Sequence, residues 1–169
     1  MCPARGAPFL GAYMKTTISA GAAVLALLFA ATPANARDIP QGGLTFDQVV
    51  TWLQNAGYKA EIKTEDGKRN IYSSADGSGF HISQYDCKGE VCASLQFWVG
   101  FDTKGAFDTA RINMWNKKNR WLRAYVDDVN DPWLEMDVDI SPGGTYENLN
   151  DEFAVWRDGV RRFRQENMN

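Results

Sequence analysis

From Phe46 onward the apolar residues keep two rhythms, and the changes of rhythm divide the chain into elements. Phe46, Val49, Val50 and Leu53 recur at steps of three and four, a helical stripe. Ahead of them Thr45 and Gln48 form a capping box, in which the Thr45 hydroxyl accepts from the N–H of residue 48 and Gln48 reaches back. Gly57 suits the position just past the helix end, so a helix is predicted over about 46–56. Tyr58, Ala60 and Ile62 then alternate with Lys59, Glu61 and Lys63, a strand with one buried face. Asp66-Gly67 is a hairpin-turn pair. Residues 69–74 return as a short strand, and Asp76-Gly77-Ser78-Gly79 turns again.

The next hairpin is set by two cysteines. With Cys87 and Cys92 directly opposed and Lys88 to Val91 as the loop, opposed residue numbers sum to 179. Ile82 then faces Phe97, Phe80 faces Val99 and Gln84 faces Leu95, so the apolar residues share a face. The other face carries His81 beside Trp98, Ser83 beside Gln96 and Tyr85 beside Ser94. Gly105 to Asn119 is predicted helical, with Phe107, Ala110, Met114 and Trp115 as its stripe and lysines at its C-terminal end. Trp121 to Asp127 and Pro132 to Ile140 form the last two strands. Aligning their apolar faces opposes Leu122 to Val138 and Val126 to Leu134, with Arg123 across from Asp137 and Tyr125 across from Glu135. After Pro142-Gly143-Gly144, a final helix carries the seam Tyr146, Leu149, Phe153, Trp156, Val160 and Phe163. The order α-β-β-β-β-α-β-β-α with hairpin-length connections predicts an α+β domain: a mainly antiparallel sheet of about five to six strands with three helices.

The N-terminal region follows a different logic. Met14-Lys15 precedes an apolar run from Ile18 to Ala31, then Pro33 and Ala34-Asn35-Ala36. Basic, apolar and small residues in that order read as a secretory signal cleaved between Ala36 and Arg37. The run is shorter than the roughly 20 residues a spanning helix needs, so no stable membrane insertion is expected after processing. Translation starts at Met1 or Met14. Arg37 to Leu44, with Pro40, Gly42 and Gly43, reads as a flexible lead-in to a single domain over 45–166. The chain has 18 basic and 21 acidic residues. Removing residues 1–36 takes away Arg5 and Lys15 and no acid, leaving 16 against 21, a net charge of −5. That balance argues against nucleic acid as a partner. In an oxidising periplasmic or secreted setting, Cys87 and Cys92 read as a disulfide. The metal reading lacks ligands, with one C-x4-C and one histidine.

Catalytic signals are sparse. His81 is the lone histidine, no G-x-S-x-G elbow occurs, and no phosphate or dinucleotide loop is present. No catalytic residue, metal or cofactor is assigned. Glu135, Asp137 and Asp139 share a strand face opposite Arg123 and read as a solvated face, with weak calcium binding as the lesser alternative. The candidate binding surface is aromatic: His81, Tyr85 and Trp98 on the non-core face, and Trp52 beside the first helical stripe. A covering helix or a second subunit would leave the same pattern. The two functional readings are a non-enzymatic protein- or peptide-binding module and a small-molecule-binding domain.

A set of short motifs adds to this. Gly57-Tyr58, the C-x4-C hairpin followed by Leu95-Gln96-Phe97, Asn113-Met114-Trp115-Asn116, Asn119-Arg120-Trp121, Arg123-Ala124-Tyr125, and Gly143-Gly144 before an aromatic-rich helix together resemble the YbjN-domain family over about residues 45–165. The resemblance implies a fold similar to type III secretion chaperones, α-β-β-β-α-β-β-α, with one early strand fewer than the pattern here. It implies a bacterial sensory transduction regulator without catalytic residues, and, through the fold, a homodimer. Asn113, Asn116 and Arg120, around Trp115, are expected to cap the second helix and tie its turn to the next strand. Export sits poorly with a direct role in cytoplasmic gene regulation.

Overall fold

The computed structural model describes residues 36–168. The capping box at Thr45 is closed from both sides: its hydroxyl accepts from Gln48 N at 3.2 Å, and Gln48 Oε1 accepts from Thr45 N at 2.9 Å. The first helix, α1 (Phe46–Asn55), therefore starts where the pattern puts it. Four strands follow: β1 (Ala60–Glu65), β2 (Lys68–Ala75), β3 (Ser78–Lys88) and β4 (Val91–Gly100). Asp66-Gly67 and Asp76-Gly77 join the first three with both central residues at positive φ, the primed turn that matches strand twist. Then come α2 (Thr109–Lys118), β5 (Arg123–Val126), β6 (Pro132–Asp139) and α3 (Tyr146–Asn167). The strands form one antiparallel sheet in the order β1-β2-β3-β4-β6-β5. This is the expected α+β architecture.

One sheet face makes the core. Ile71, Phe80, Ile82, Leu95, Phe97, Leu134 and Met136 pack with Val49 and Leu53 of α1 and with Leu149, Phe153, Trp156, Val160 and Phe163 of α3. Each such side chain, fully buried, contributes roughly 1.5–3 kcal/mol. The Cys87–Cys92 bridge is formed between directly opposed residues, Cα atoms 3.9 Å apart. The pairs from His81↔Trp98 to Lys88↔Val91 keep the predicted register.

Three expectations are corrected. First, the lead-in is not loose. Leu44 N donates to Cys92 O at 3.0 Å and Cys92 N to Leu44 O at 2.9 Å, while Ile39 N donates to Gly144 O at 2.8 Å. Leu44 and Ile39 are buried, because the segment's two branched apolar residues reach the core. Second, α2 begins later than Gly105, at a cap where Asp108 accepts from Ala110 N at 2.9 Å. Its inward residues are Ile112 and Trp115, whereas Met114 and Ala110 are exposed. Third, β5 and β6 are shifted by two residues from the predicted pairing: Arg123 opposes Glu135, Tyr125 opposes Trp133 and Val126 opposes Pro132. A two-residue slip leaves every side chain on its face, so alternation cannot detect it. The turn decides. Asp127 N donates to Asp131 O and Asn130 N to Asp127 O, both at 3.0 Å, closing residues 127–131 into a tight loop.

Candidate binding face

The sheet face opposite the core follows from strand parity. Residues out of phase with the buried ones point to it: Tyr72 on β2, His81 on β3, Trp98 on β4, Trp133 on β6 and Tyr125 on β5. Registers Tyr72↔His81↔Trp98 and Gly100↔Trp133↔Tyr125 place the five rings in one row across five strands. Tyr72 meets His81 edge-on at 5.3 Å, His81 stacks on Trp98 at 4.1 Å and 7°, Trp98 lies 5.6 Å from Trp133, and Tyr125 stacks on Trp133 at 6.4 Å. Polar atoms pin the rings. Trp98 Nε1 donates to Ser83 Oγ at 2.8 Å, Trp133 Nε1 to Asp127 Oδ2 at 2.9 Å, and Tyr125 OH to Glu135 Oε1 at 2.7 Å. Glycines let two rings lie low: a Cβ on Gly79 would come within 2.7 Å of the Tyr72 hydroxyl, and one on Gly100 within 2.8 Å of the Trp133 indole.

Tyr72, His81, Trp98 and Trp133 line an open groove of about 420 Å³ whose far end carries Asp102, Asp127 and Asp131. Asp131 Oδ1 accepts from Thr103 Oγ1 and N, both at 2.8 Å, and from Gly105 N at 3.1 Å. Those bonds, the Thr103 hydroxyl first, hold its carboxyl below the usual range. Asp127 is lowered by the Asp131 N–H and then by the Trp133 indole; Asp102 is lowered by the Lys104 ammonium. All three are carboxylates at neutral pH. Burial pushes the His81 imidazole below its ordinary value, with Glu65 opposing the shift and Lys63 adding to it. Burial, then the bond to Glu135, pushes the Tyr125 phenol up to about 12.

The structure brings His81 and Trp98 together as expected. Tyr85 shares their face but sits toward the hairpin tip, 49% exposed, its hydroxyl 3.4 Å from Gln96 Oε1. Trp52 does not belong to a surface: it is buried, its indole donates to Asn150 Oδ1 at 2.8 Å, and it packs edge-on to Phe153. It ties α1 to α3, because its helical position turns slightly off the stripe toward the neighbouring helix. Tyr72, Trp133, Tyr125, Asp127 and Asp131 were absent from the sequence-derived site. The parity of Trp133 against Leu134, and of Tyr125 against Ala124, was the signal that could have found two strands of it. Asn116 does tie α2 to β5, donating to Ala124 O at 3.0 Å and accepting from Ala124 N at 3.1 Å. Asn119 joins it, donating to Trp115 O at 3.0 Å and accepting from Arg162 at 2.9 Å. Trp115 is buried edge-on to Phe163, while Asn113 and Arg120 are exposed. Of the predicted cleavage pair, Ala36 is exposed and Arg37 is held by its backbone, N donating to Glu147 Oε2 at 2.7 Å.

A second hollow of about 300 Å³ lies between α3 and the β2–β3 turn. Arg157 there grips Asp76 at 2.8 and 2.9 Å and Tyr58 at 2.6 Å, and Arg164 donates to Ser78 at 2.8 Å. These arginines fasten helix to sheet. Among the described residues no group of three or more metal-ligating side chains converges, and no helix is long and apolar enough to cross a membrane.

No curated protein matches this sequence. The family model that does match, over residues 45–166, is described as "putative bacterial sensory transduction regulator", which points to a regulatory or binding role and names no reaction. With that match covering most of the chain, and with the Asn116 and Trp115 motif residues placed as above, the protein belongs to the YbjN family.

Proposed function

We propose that this protein is an exported, non-enzymatic module that holds a segment of a partner protein or peptide against the open sheet face. The aromatic row carries the reading. Five strands at a spacing of roughly 4.8 Å give a row on the order of 20 Å long, the span of about six extended residues. Its rings are pre-positioned by hydrogen bonds and by missing Cβ atoms, so little side-chain freedom is lost on binding. Aromatic rings on a rigid surface are typical anchors of protein interfaces. His81, stacked and held neutral, serves as a wall of the groove. The signal-like N-terminus and the Cys87–Cys92 bridge support export, since such bridges persist in oxidising compartments. The groove's volume also favours a second reading, a small ligand, but its openness along the sheet suits a chain better.

A photo-crosslinking residue at Gln96, beside the row, tests this in the native cell. The expected result is one dominant protein adduct that disappears in a Trp98→Ala background and is absent when the crosslinker replaces Lys117 on α2. Labelling unaffected by Trp98→Ala would overturn the face as the site. N-terminal sequencing of protein from the envelope or medium tests export; a mature chain starting at Arg37 is expected.

A further inference from the structure

We infer that the bound segment presents an arginine to the groove, its guanidinium stacking on the aromatic row and pairing with the carboxylates at the groove's end. The inference rests on the proposed function and adds the ligand's chemistry. Four rings line one groove with Asp102, Asp127 and Asp131. Cations bind over aromatic faces, more strongly where water is partly excluded. The carboxylates are fixed anions, and their bonds leave room for a guest: all three in-chain donors to Asp131 go to Oδ1, leaving Oδ2 without one. The nearest cation, Lys104, is engaged with Asp102 on a side chain 86% exposed. Lys63 Nζ stands 4.1 Å over the Tyr72 ring at the other end of the groove, and among the described residues no cation lies over Trp98 or Trp133, the rings on the carboxylate side. A planar guanidinium can stack and accept a bidentate carboxylate at once, whereas an ammonium acts as a point charge. The net charge of −5 beyond residue 36, from 16 basic and 21 acidic residues, draws a basic segment to this surface.

A second copy of the chain is the rival occupant. On α3, Arg157, Arg162 and Arg164 are tied to Asp76, Asn119 and Ser78 within their own chain. Lys117, Lys118 and Arg120 at the end of α2 are exposed, but two copies that each carry a net charge of −5 beyond residue 36 repel one another. The observations favour a foreign basic segment.

The test uses two acetylated, amidated pentapeptides, each with a central residue flanked by phenylalanines. One has arginine at the centre and the other citrulline, which keeps the shape and removes the charge. Each is titrated into the isotope-labelled protein while the indole N–H signals of Trp98 and Trp133 are followed. The arginine peptide is expected to shift both signals and to bind at least tenfold more tightly than the citrulline peptide, the factor that about 1.4 kcal/mol supplies. Asp102→Asn, at an exposed site, and added salt should both narrow the gap. Equal binding of the two peptides, lost in Trp98→Ala, would overturn the arginine inference and leave the binding face standing. Absence of shifts from either peptide would overturn both. Concentration-dependent dimerisation abolished by Trp98→Ala would assign the face to a second copy and likewise overturn the inference.

Discussion

The Trp133 indole lies across the backbone of Gly100, at a distance a Cβ on residue 100 would reduce to 2.8 Å. Gly100 has no positive φ, so close approach is the reason a glycine stands there. Gly100→Ala should tilt the ring out of the row. Because Trp133 lies at the surface, relaxation is cheap, and stability should fall by less than about 1 kcal/mol, below the usual cost of overpacking a core. Arginine-peptide affinity should fall about tenfold, roughly one ring contact with a cation. Urea denaturation and the peptide titration measure the two effects separately. An unchanged affinity would remove Trp133 from the site.

The disulfide makes a separate prediction. Cys87 and Cys92 close a loop of four residues at the end of the longest hairpin. Chain entropy for so short a loop gives about 2 kcal/mol of stabilisation. The Cys87→Ser, Cys92→Ala double variant should lose that amount of unfolding free energy relative to oxidised protein, read as a lower urea midpoint at unchanged slope. It should match wild type measured in dithiothreitol. A wild-type midpoint insensitive to dithiothreitol would mean that the bridge contributes nothing.

The same hairpin shows what a sequence can and cannot reveal. Two independent constraints, a cysteine pair and alternation, met in β3 and β4, and the register from His81↔Trp98 onward follows from them. For β5 and β6 only alternation was at hand, which is blind to a slip of two; the deciding bonds are Asp127's, made inside the turn. His81 and Trp98 were legible as a pair because they oppose each other on one hairpin. Tyr72 faces His81 across the hairpin that the Asp76-Gly77 turn closes, so it was within reach of a local signal. Trp133 joins them across a strand pair that no local signal defines, since β4 pairs with β6 rather than β5. Trp52 misled because a helical stripe marks one buried direction, while α1 is covered from two, by the sheet and by α3 at Phe153.

His81 should give a measurable pH dependence. Its folded value lies below the ordinary 6.5 because burial disfavours the charged ring. The unfolded chain therefore takes up its proton first as pH falls. Stability from this group is complete above 6.5 and declines as pH drops through 6.5 toward the folded value. Lys63 and Glu65 face it with opposite effects. His81→Phe keeps a ring against Trp98 and removes the titration, so its urea midpoint should vary less between about pH 7.5 and pH 5 than that of wild type. A His81 ring signal titrating at or above the ordinary value in nuclear magnetic resonance would refute this.

Residues 37–44 should be indispensable to the domain, although the family match begins at residue 45. Ile39 and Leu44 are 6% and 0% exposed. Losing two such side chains costs on the order of 3–6 kcal/mol, a large fraction of a small domain's stability. A chain starting at Thr45 should be partly unfolded or strongly destabilised by urea denaturation, and Leu44→Ala alone should cost about 2–5 kcal/mol. A truncated chain as stable as one starting at Arg37 would show that the strap merely rests on the core.

The start of that strap leads to the final prediction. Arg37 N donates to Glu147 Oε2 at 2.7 Å, Arg37 O accepts from Tyr146 N at 2.9 Å, and the Arg37 guanidinium lies 3.8 Å over the Tyr146 ring. Glu147 stands in the first turn of α3, where the helix dipole favours a carboxylate. If cleavage follows Ala36, the amide at residue 37 becomes an ammonium held against that carboxylate. The mature chain would then gain an ion pair that the precursor lacks. A double-mutant cycle isolates it, comparing a free with an acetylated amino terminus at Arg37, each with Glu147 and with Glu147→Gln. The expected coupling is up to about 1 kcal/mol, the range for an exposed pair, and it should shrink with salt. Zero coupling at low salt would leave Glu147 as a partner of the backbone alone and detach this contact from processing.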